Sequence, residues 1–112
     1  MTFVLVPPDI TPIALPSGIS SGDNVAITCV IKRGDEPIHI SWMLNGHVLT
    51  EDQVRIVSTP LVSTVIIDSI TREQAGNYTC RATNDAGTAH YTTHVAVLGQ
   101  YSYPSPRNNI LF

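Results

Sequence analysis

The chain has 112 residues, 43% of them hydrophobic, which is enough for one domain with one packed core and too few for two. Six Lys and Arg stand against nine Asp and Glu, and this net charge of −3 without a basic run argues against nucleic acid as a partner. The first apolar stretch, 3–6, is too short for a signal peptide, and no later run has the length of a membrane span.

Hydrophobic residues alternate with polar residues along most of the chain, which is the period of a β-strand. The pattern predicts strands over 24–31 and 38–44, each with one face in the core. Asn45-Gly46 follows, a pair that tolerates positive φ in a type I′ turn, so we expect a hairpin that returns over 47–50. The first half of the chain is therefore predicted to be all β.

The segment 54–70 is predicted to contain two strands with a break at Pro60, because proline cannot donate to a ladder of hydrogen bonds. Its inward positions are Val65 and Ile67, and Ile70 closes the core after a turn. We expect a single helical turn over 71–75 and no other helix.

A further strand is predicted over 76–83, and the turn 84–87 connects it to a last strand over 88–98. After Gly99 the alternation stops and two prolines appear. We therefore assign 1–99 to the domain and 100–112 to a linker or an artificial tail.

Cys29 and Cys80 are the only cysteines, and an even pair in a short, strand-rich chain favours one disulfide and an oxidising compartment. Closing a loop of this length would disfavour the unfolded chain by roughly 4 kcal/mol. The alternative is two buried free thiols in a cytosolic domain of the same shape.

The residues Cys29, Trp42 and Gly76-Asn77-Tyr78-Thr79-Cys80 together resemble the signature of an immunoglobulin domain, over about residues 9–98. The resemblance implies an all-β sandwich of two antiparallel sheets, with the two cysteines joining the sheets. It also implies core roles for Trp42, packed on the disulfide, and Tyr78, bonded across a corner. Only 38 residues separate Trp42 from Cys80, which resembles the intermediate set (I-set) of adhesion molecules.

A closer similarity, to the variable immunoglobulin domains of arthropod Down syndrome cell adhesion molecules (Dscam), is carried by "VPPDITPIALPSGISSGDNVAITC", "GDEPIHISWMLNG", "STVIIDSITREQAGNYTC" and "ATNDAG". Those proteins are cell-surface receptors whose variable domains bind identical copies of themselves. The similarity implies the extracellular region of a plasma-membrane receptor, with an identical copy and neighbouring immunoglobulin domains as partners. Gln74 departs from the pattern, because the family often has an acid there, so an ion pair from Arg55 to this position is in doubt.

The strand phases give the two sheets different outer faces. The first face should be unusually apolar and is our expected homophilic interface: Ala26, Thr28, Val30, Arg55, Val57, Thr64, Ile66 and Asp68. We expect Ile66, Val57 and Val30 near its centre and a pairing of Arg55 with Asp68 across a two-fold axis. The alternative is that a neighbouring domain or a loop covers this face.

The second face should be wetter, and its residues are His39, Ser41, Met43, Thr79, Arg81, His90, Thr92 and His94. Asn77-Tyr78-Thr79 is an N-glycosylation sequon, so Asn77 is a possible glycan site on this side.

The tripeptide Arg33-Gly34-Asp35 matches an integrin-binding signal, but Gly, Asp and the nearby Pro37 are also the residues that a turn between two strands requires. We assign this segment to a turn and keep integrin binding as the lesser alternative.

Nothing in the sequence combines a nucleophile, a base and a charge-stabilising group, so we predict no enzyme, cofactor or metal. His90 and His94 would lie about 13 Å apart on a strand, too far for one metal ion. Besides homophilic adhesion, two functions stay open: a ligand-binding immune-recognition module and a structural spacer.

Overall fold

A computed structural model of the chain describes residues 4–99. It contains eight strands and one turn of 3-10 helix, Arg72–Gln74. The strands are β1 (Asp9–Ile10), β2 (Val25–Arg33), β3 (His39–Leu44), β4 (His47–Val48), β5 (Arg55–Ser58), β6 (Val62–Ile67), β7 (Gly76–Asn84) and β8 (Gly87–Val95).

The strands form two four-stranded sheets with the orders β1-β2-β6-β5 and β4-β3-β7-β8. Every pair of neighbouring strands is antiparallel. Each strand presents alternate residues to one side, so each sheet has an inner and an outer face. The architecture is the predicted sandwich of two antiparallel sheets.

The inner faces meet in one core. Val65, Ile67 and Ile70 are buried as predicted, and so are Tyr78 and Val95. Cys29 of β2 and Cys80 of β7 form the disulfide that joins the sheets, with 6.3 Å between their Cα atoms. The predicted disulfide is therefore present, and the alternative of two free thiols is wrong.

A second link between the sheets lies beside the disulfide. Trp42 donates from Nε1 to Oγ of Ser63 at 2.9 Å, and Oγ of Ser63 lies 2.7 Å from Oγ of Ser58. Trp42 is the cross-strand neighbour of Cys80, and Ser63 is the neighbour of Cys29. The hydrogen bond and the disulfide therefore cross the core side by side.

The buried Tyr78 of β7 is hydrogen-bonded to the corner that precedes this strand. Its hydroxyl donates to the carbonyl oxygen of Gln74 at 2.6 Å, and burial raises the pKa of Tyr78 to about 12. The side chain of Gln74 accepts from the backbone nitrogen of Thr71 at 2.8 Å. Gln74 therefore fixes the start of the helical turn through its neutral amide, a task that needs no ion pair.

The strand limits differ from the predicted ones in places where local signals are weak. β2 continues to Arg33, two residues beyond the predicted end, and β8 ends at Val95, three residues before the predicted end at Leu98. β1 was missed because it has only two residues beside several prolines. The break at Pro60 is confirmed, and Asn45 and Gly46 have the positive φ values, 52° and 82°, of the predicted turn. The predicted tail 100–112 lies outside the described residues.

Candidate recognition face

The outer side of the sheet β1-β2-β6-β5, here called the first face, is built from three rows that the strand register aligns. Because β2, β6 and β5 are antiparallel neighbours, their outward residues stand side by side. The rows are Ala26–Ile66–Arg55, then Thr28–Thr64–Val57, then Val30–Val62. All eight residues of the predicted interface lie on this side of the sheet or at its end.

Apolar side chains occupy both outer rows and one end of the middle row. Val57 is 57% exposed and Val30 is 38% exposed, while Ile66 and Val62 are half-buried. In the middle row the hydroxyls of Thr28 and Thr64 lie 3.1 Å apart, so one donates to the other and only one O–H of the two is left for water or a partner. A partner would therefore meet little unsatisfied polar surface there, which lowers the cost of removing water.

An ion pair and several carboxylates mark one end of the first face. Arg55 donates to both oxygens of Asp68, from Nε at 3.2 Å and from a terminal nitrogen at 3.0 Å. Both side chains are more than 60% exposed, so the pair contributes at most about 1 kcal/mol. A pairing across a two-fold axis would have to replace this bridge within one chain.

Glu51 and Asp52 line an open depression of about 220 Å³ together with Arg55 and Asp68. Three carboxylates and one guanidinium give this end a net charge of −2. It is called the acidic end below.

Lys32 lies at the opposite end, on β2 beyond Val30. Its side chain is exposed, and the alternation of β2 points it outward with Thr28 and Val30. It takes part in no ion pair within residues 4–99. The first face therefore runs from an acidic end, through apolar rows, to a free cation.

The outer side of the sheet β4-β3-β7-β8, here called the second face, is polar as expected. Its cross-strand contacts are hydrogen bonds: Thr79 to Thr92 at 2.8 Å, Thr83 to Thr88 at 3.1 Å, and Asn77 to His94 at 2.9 Å. Strand pairing sets Ser41 beside Arg81 and His90, while His39 stands at the far end of the face. Met43 is half-buried in the row of Thr79 and Thr92.

The segment Arg33-Gly34-Asp35 turns sharply between β2 and β3. Gly34 has a φ of 140°, and a Cβ atom there would come within 2.8 Å of the Pro8 backbone, so the turn requires glycine. The carboxylate of Asp35 accepts from the backbone nitrogen of Val6 at 2.7 Å, and the Asn84 side chain donates to the Asp35 carbonyl at 2.9 Å. The local contacts account for both Gly34 and Asp35, as the turn interpretation expects.

Across residues 4–99, no three side chains of His, Cys, Asp or Glu are grouped as metal ligands. None of the helices described there has the length and apolar character to cross a membrane.

The chain belongs to the immunoglobulin domain family: the family model "Immunoglobulin domain" matches residues 7–84. This is a family of binding and structural modules rather than of enzymes.

Among curated proteins, the chain is 44% identical over 86 residues to Cell adhesion molecule DSCAML1 of Gallus gallus and 34% identical over 98 residues to Cell adhesion molecule Dscam1 of Drosophila melanogaster. These alignments cover 76% and 84% of this chain but only 4% and 5% of the relatives. The chain thus spans about a twentieth of the length of the proteins it resembles.

Among solved structures, a crystal structure of the Dscam1 Ig7 domain, isoform 9, matches with a TM-score of 0.77 and 34% identity. The match covers 82% of this chain and all of that domain. The resemblance to Dscam immunoglobulin domains predicted from sequence motifs is confirmed.

Sequence reasoning missed three residues that shape these features: Lys32, Val62 and Ser63. Extending the alternation of β2 by one step would have placed Lys32 on the first face, and the same alternation in β6 places Val62 outward and Ser63 inward. The bond from Trp42 to Ser63 has no sequence signal, because it depends on how the two sheets are packed.

Proposed function

We propose that this chain is an extracellular recognition domain of a Dscam-like adhesion receptor, and that it binds an identical copy of itself through the first face. The observation that carries the proposal is a sheet face with exposed valines between an acidic end and a free cation. The names of the relatives, which are cell adhesion molecules, support the same class of function.

The arrangement of the rows favours a second copy over an unrelated partner. A two-fold axis through the row of Thr28 and Thr64 would set the two first faces antiparallel. The row of Ile66 would then meet the row of Val30 and Val62 of the other copy, apolar against apolar. Each surface would thus be complementary to itself.

The charged side chains at the two ends of the first face also fit this two-fold axis. In this arrangement Lys32 of each copy faces the acidic end of the other copy, near Asp68. Such contacts guide encounter and set the orientation more than they add affinity. They also disfavour a variant domain that carries the wrong sign at either end, because unpaired or like charges are costly there.

Aggregation of beads coated only with this chain tests the proposal. We expect the parent beads to aggregate, more strongly at low salt, and Lys32→Glu beads to aggregate less. Arg81→Glu is the matched control, because Arg81 is also an exposed cation on a strand but belongs to the second face. It should aggregate like the parent.

Absence of aggregation in the parent would contradict the proposal and leave the ligand-binding module and the spacer as candidates. A Lys32→Glu variant that aggregates like the parent, or an equal loss in both variants, would contradict a specific role of Lys32 and the first face. An intact disulfide and an unchanged melting temperature show that each variant is folded.

A further inference from the structure

We propose that the amide nitrogen of Asn77 carries an N-linked glycan that stands over the second face and leaves the first face bare. Asn77-Tyr78-Thr79 is the one Asn-X-Ser/Thr sequon in the sequence. The proposal does not depend on the proposed homophilic function, because it concerns the opposite side of the sandwich.

The phase of β7 makes the folded domain compatible with a sugar at this position. Tyr78 points inward and is fully buried, so its neighbours Asn77 and Thr79 point outward. Asn77 is exposed. With the opposite phase, the core would exclude a modified asparagine, and glycosylation would be incompatible with folding.

The contacts of Asn77 leave the acceptor atom free. Its Oδ1 lies 2.9 Å from Nδ1 of His94, and its backbone nitrogen donates to Oδ1 of Asn45 at 2.9 Å. No contact described for residues 4–99 engages Nδ2, the atom that would bear the sugar. The contact to His94 therefore uses the amide oxygen and leaves the amide nitrogen available.

The disulfide between Cys29 and Cys80 is an independent reason to expect a glycan at Asn77. A cystine in a small domain indicates an oxidising, secretory compartment, which is also where asparagine-linked sugars are attached. The chemistry is a transfer from a lipid-linked oligosaccharide diphosphate. The bond from Nδ2 to the anomeric carbon forms as the carbon–oxygen bond to phosphate breaks, one amide proton is lost, and the lipid diphosphate leaves.

The expected consequence is a domain with two unlike sides. A glycan at Asn77 stands beside His94 and next to the row of Met43, Thr79 and Thr92. It would hinder approach to that half of the second face. The first face, on the other sheet, would stay accessible to a partner.

The test is secretion of the chain from eukaryotic cells, followed by an amidase that removes N-linked glycans. We expect the parent to migrate faster after treatment, and peptide mass spectrometry to find aspartate at position 77. Asn77→Asp, which keeps the oxygen that contacts His94, and Thr79→Ala should show no shift, whereas Thr79→Ser should keep it. A secreted, disulfide-bonded parent that shows no shift would overturn the proposal.

A second measurement tests where the glycan stands. Acylation of His94 should be slower in glycosylated Thr79→Ser than in Thr79→Ala, and acylation of His39, at the far end of the same face, should be equal in both. Equal rates at His94 in a glycosylated sample would contradict the proposed position. Neither result depends on self-association, so failure here is distinguishable from failure of the homophilic proposal.

Discussion

Ser63 shows how much one small polar residue can contribute at the centre of an apolar core. It is fully buried and accepts the indole N–H of Trp42, which is itself 2% exposed. A buried donor without a partner costs about 1–3 kcal/mol. The main contribution of this bond is therefore to avoid that penalty at the Trp42 nitrogen. The side chain also bonds to Ser58 at the exposed edge of the sheet.

Ser63→Ala should lower the free energy of unfolding by about 1–3 kcal/mol, because it leaves the Trp42 nitrogen unpaired in the core. Urea denaturation followed by tryptophan fluorescence measures this change. The matched control is Ser58→Ala, which removes the outer hydroxyl but keeps the bond to Trp42, and its loss should be smaller. If the two variants lose equal stability, the buried bond does not have this role.

The buried hydroxyl of Tyr78 gives the domain a dependence on alkaline pH. Its pKa is near 10 in an unfolded chain and about 12 in the fold. Between these values the folded state keeps the proton while the unfolded state loses it, so stability falls as pH rises. The contribution is fully present below pH 10 and lost through pH 12, by at most about 3 kcal/mol.

Tyr78→Phe should be less stable than the parent near pH 8, by roughly 1 kcal/mol, because it loses the bond to the Gln74 carbonyl. It should also lose much less stability than the parent between pH 9 and pH 11.5, since no phenol remains there to ionise. Denaturation curves at several pH values test both statements. Tyr91→Phe is the control, and its stability should fall with rising pH as the stability of the parent does. A parallel fall in Tyr78→Phe would contradict the assignment.

At the scale of single elements, the β3–β4 hairpin depends on a turn with two residues at positive φ. Gly46 has a φ of 82° and no atom within 4 Å of the place where a Cβ would stand. This position therefore requires glycine because of its backbone conformation, and a side chain would have room there. Asn45 adds a contact, because its side chain accepts the backbone N–H of Asn77 at the start of β7.

Gly46→Ala should lower the free energy of unfolding by about 1–2 kcal/mol, the cost of left-handed backbone for a residue with a Cβ. Gly99→Ala is the control, because that glycine also has open space around it and lacks a positive φ. Thermal denaturation compares the two variants. If Gly46→Ala leaves the free energy of unfolding unchanged, the hairpin can adopt another turn at no cost.

The sequence could predict which segments form strands and which of their residues face the core, because both depend on local alternation of polar and apolar residues. Every second residue is apolar and buried from Val25 to Ile31 in β2 and from Tyr78 to Ala82 in β7, so the alternation alone assigns Cys29, Tyr78 and Cys80 to the core. The two-residue β1 was not predictable, because it pairs with a strand distant in sequence. The end of β8 was missed because the alternation continues over 96–98 although β7 begins at Gly76, the partner of Val95. The bridge from Arg55 to Asp68 was foreseen as a pair but not as one within the chain, since its geometry follows from the register of β5 with β6.

At the scale of the whole molecule, the two sheets give the domain two chemically different sides. The second face is covered by cross-strand hydrogen bonds of threonines, asparagine and histidine, and it carries the proposed glycan site. The first face combines apolar rows with charge at its ends. The proposal that the first face is the recognition surface depends on this difference between the two sides.

Sedimentation of the chain over a range of concentrations tests this assignment most directly. The comparison is between the parent, Ile66→Lys on the first face and Thr92→Lys on the second face, each with an intact disulfide. We predict concentration-dependent dimers in the parent and in Thr92→Lys, and a monomer in Ile66→Lys, because an ammonium in the apolar row would lose its water on association. A parent that stays monomeric at every concentration, or an Ile66→Lys variant that associates as the parent does, would contradict the account.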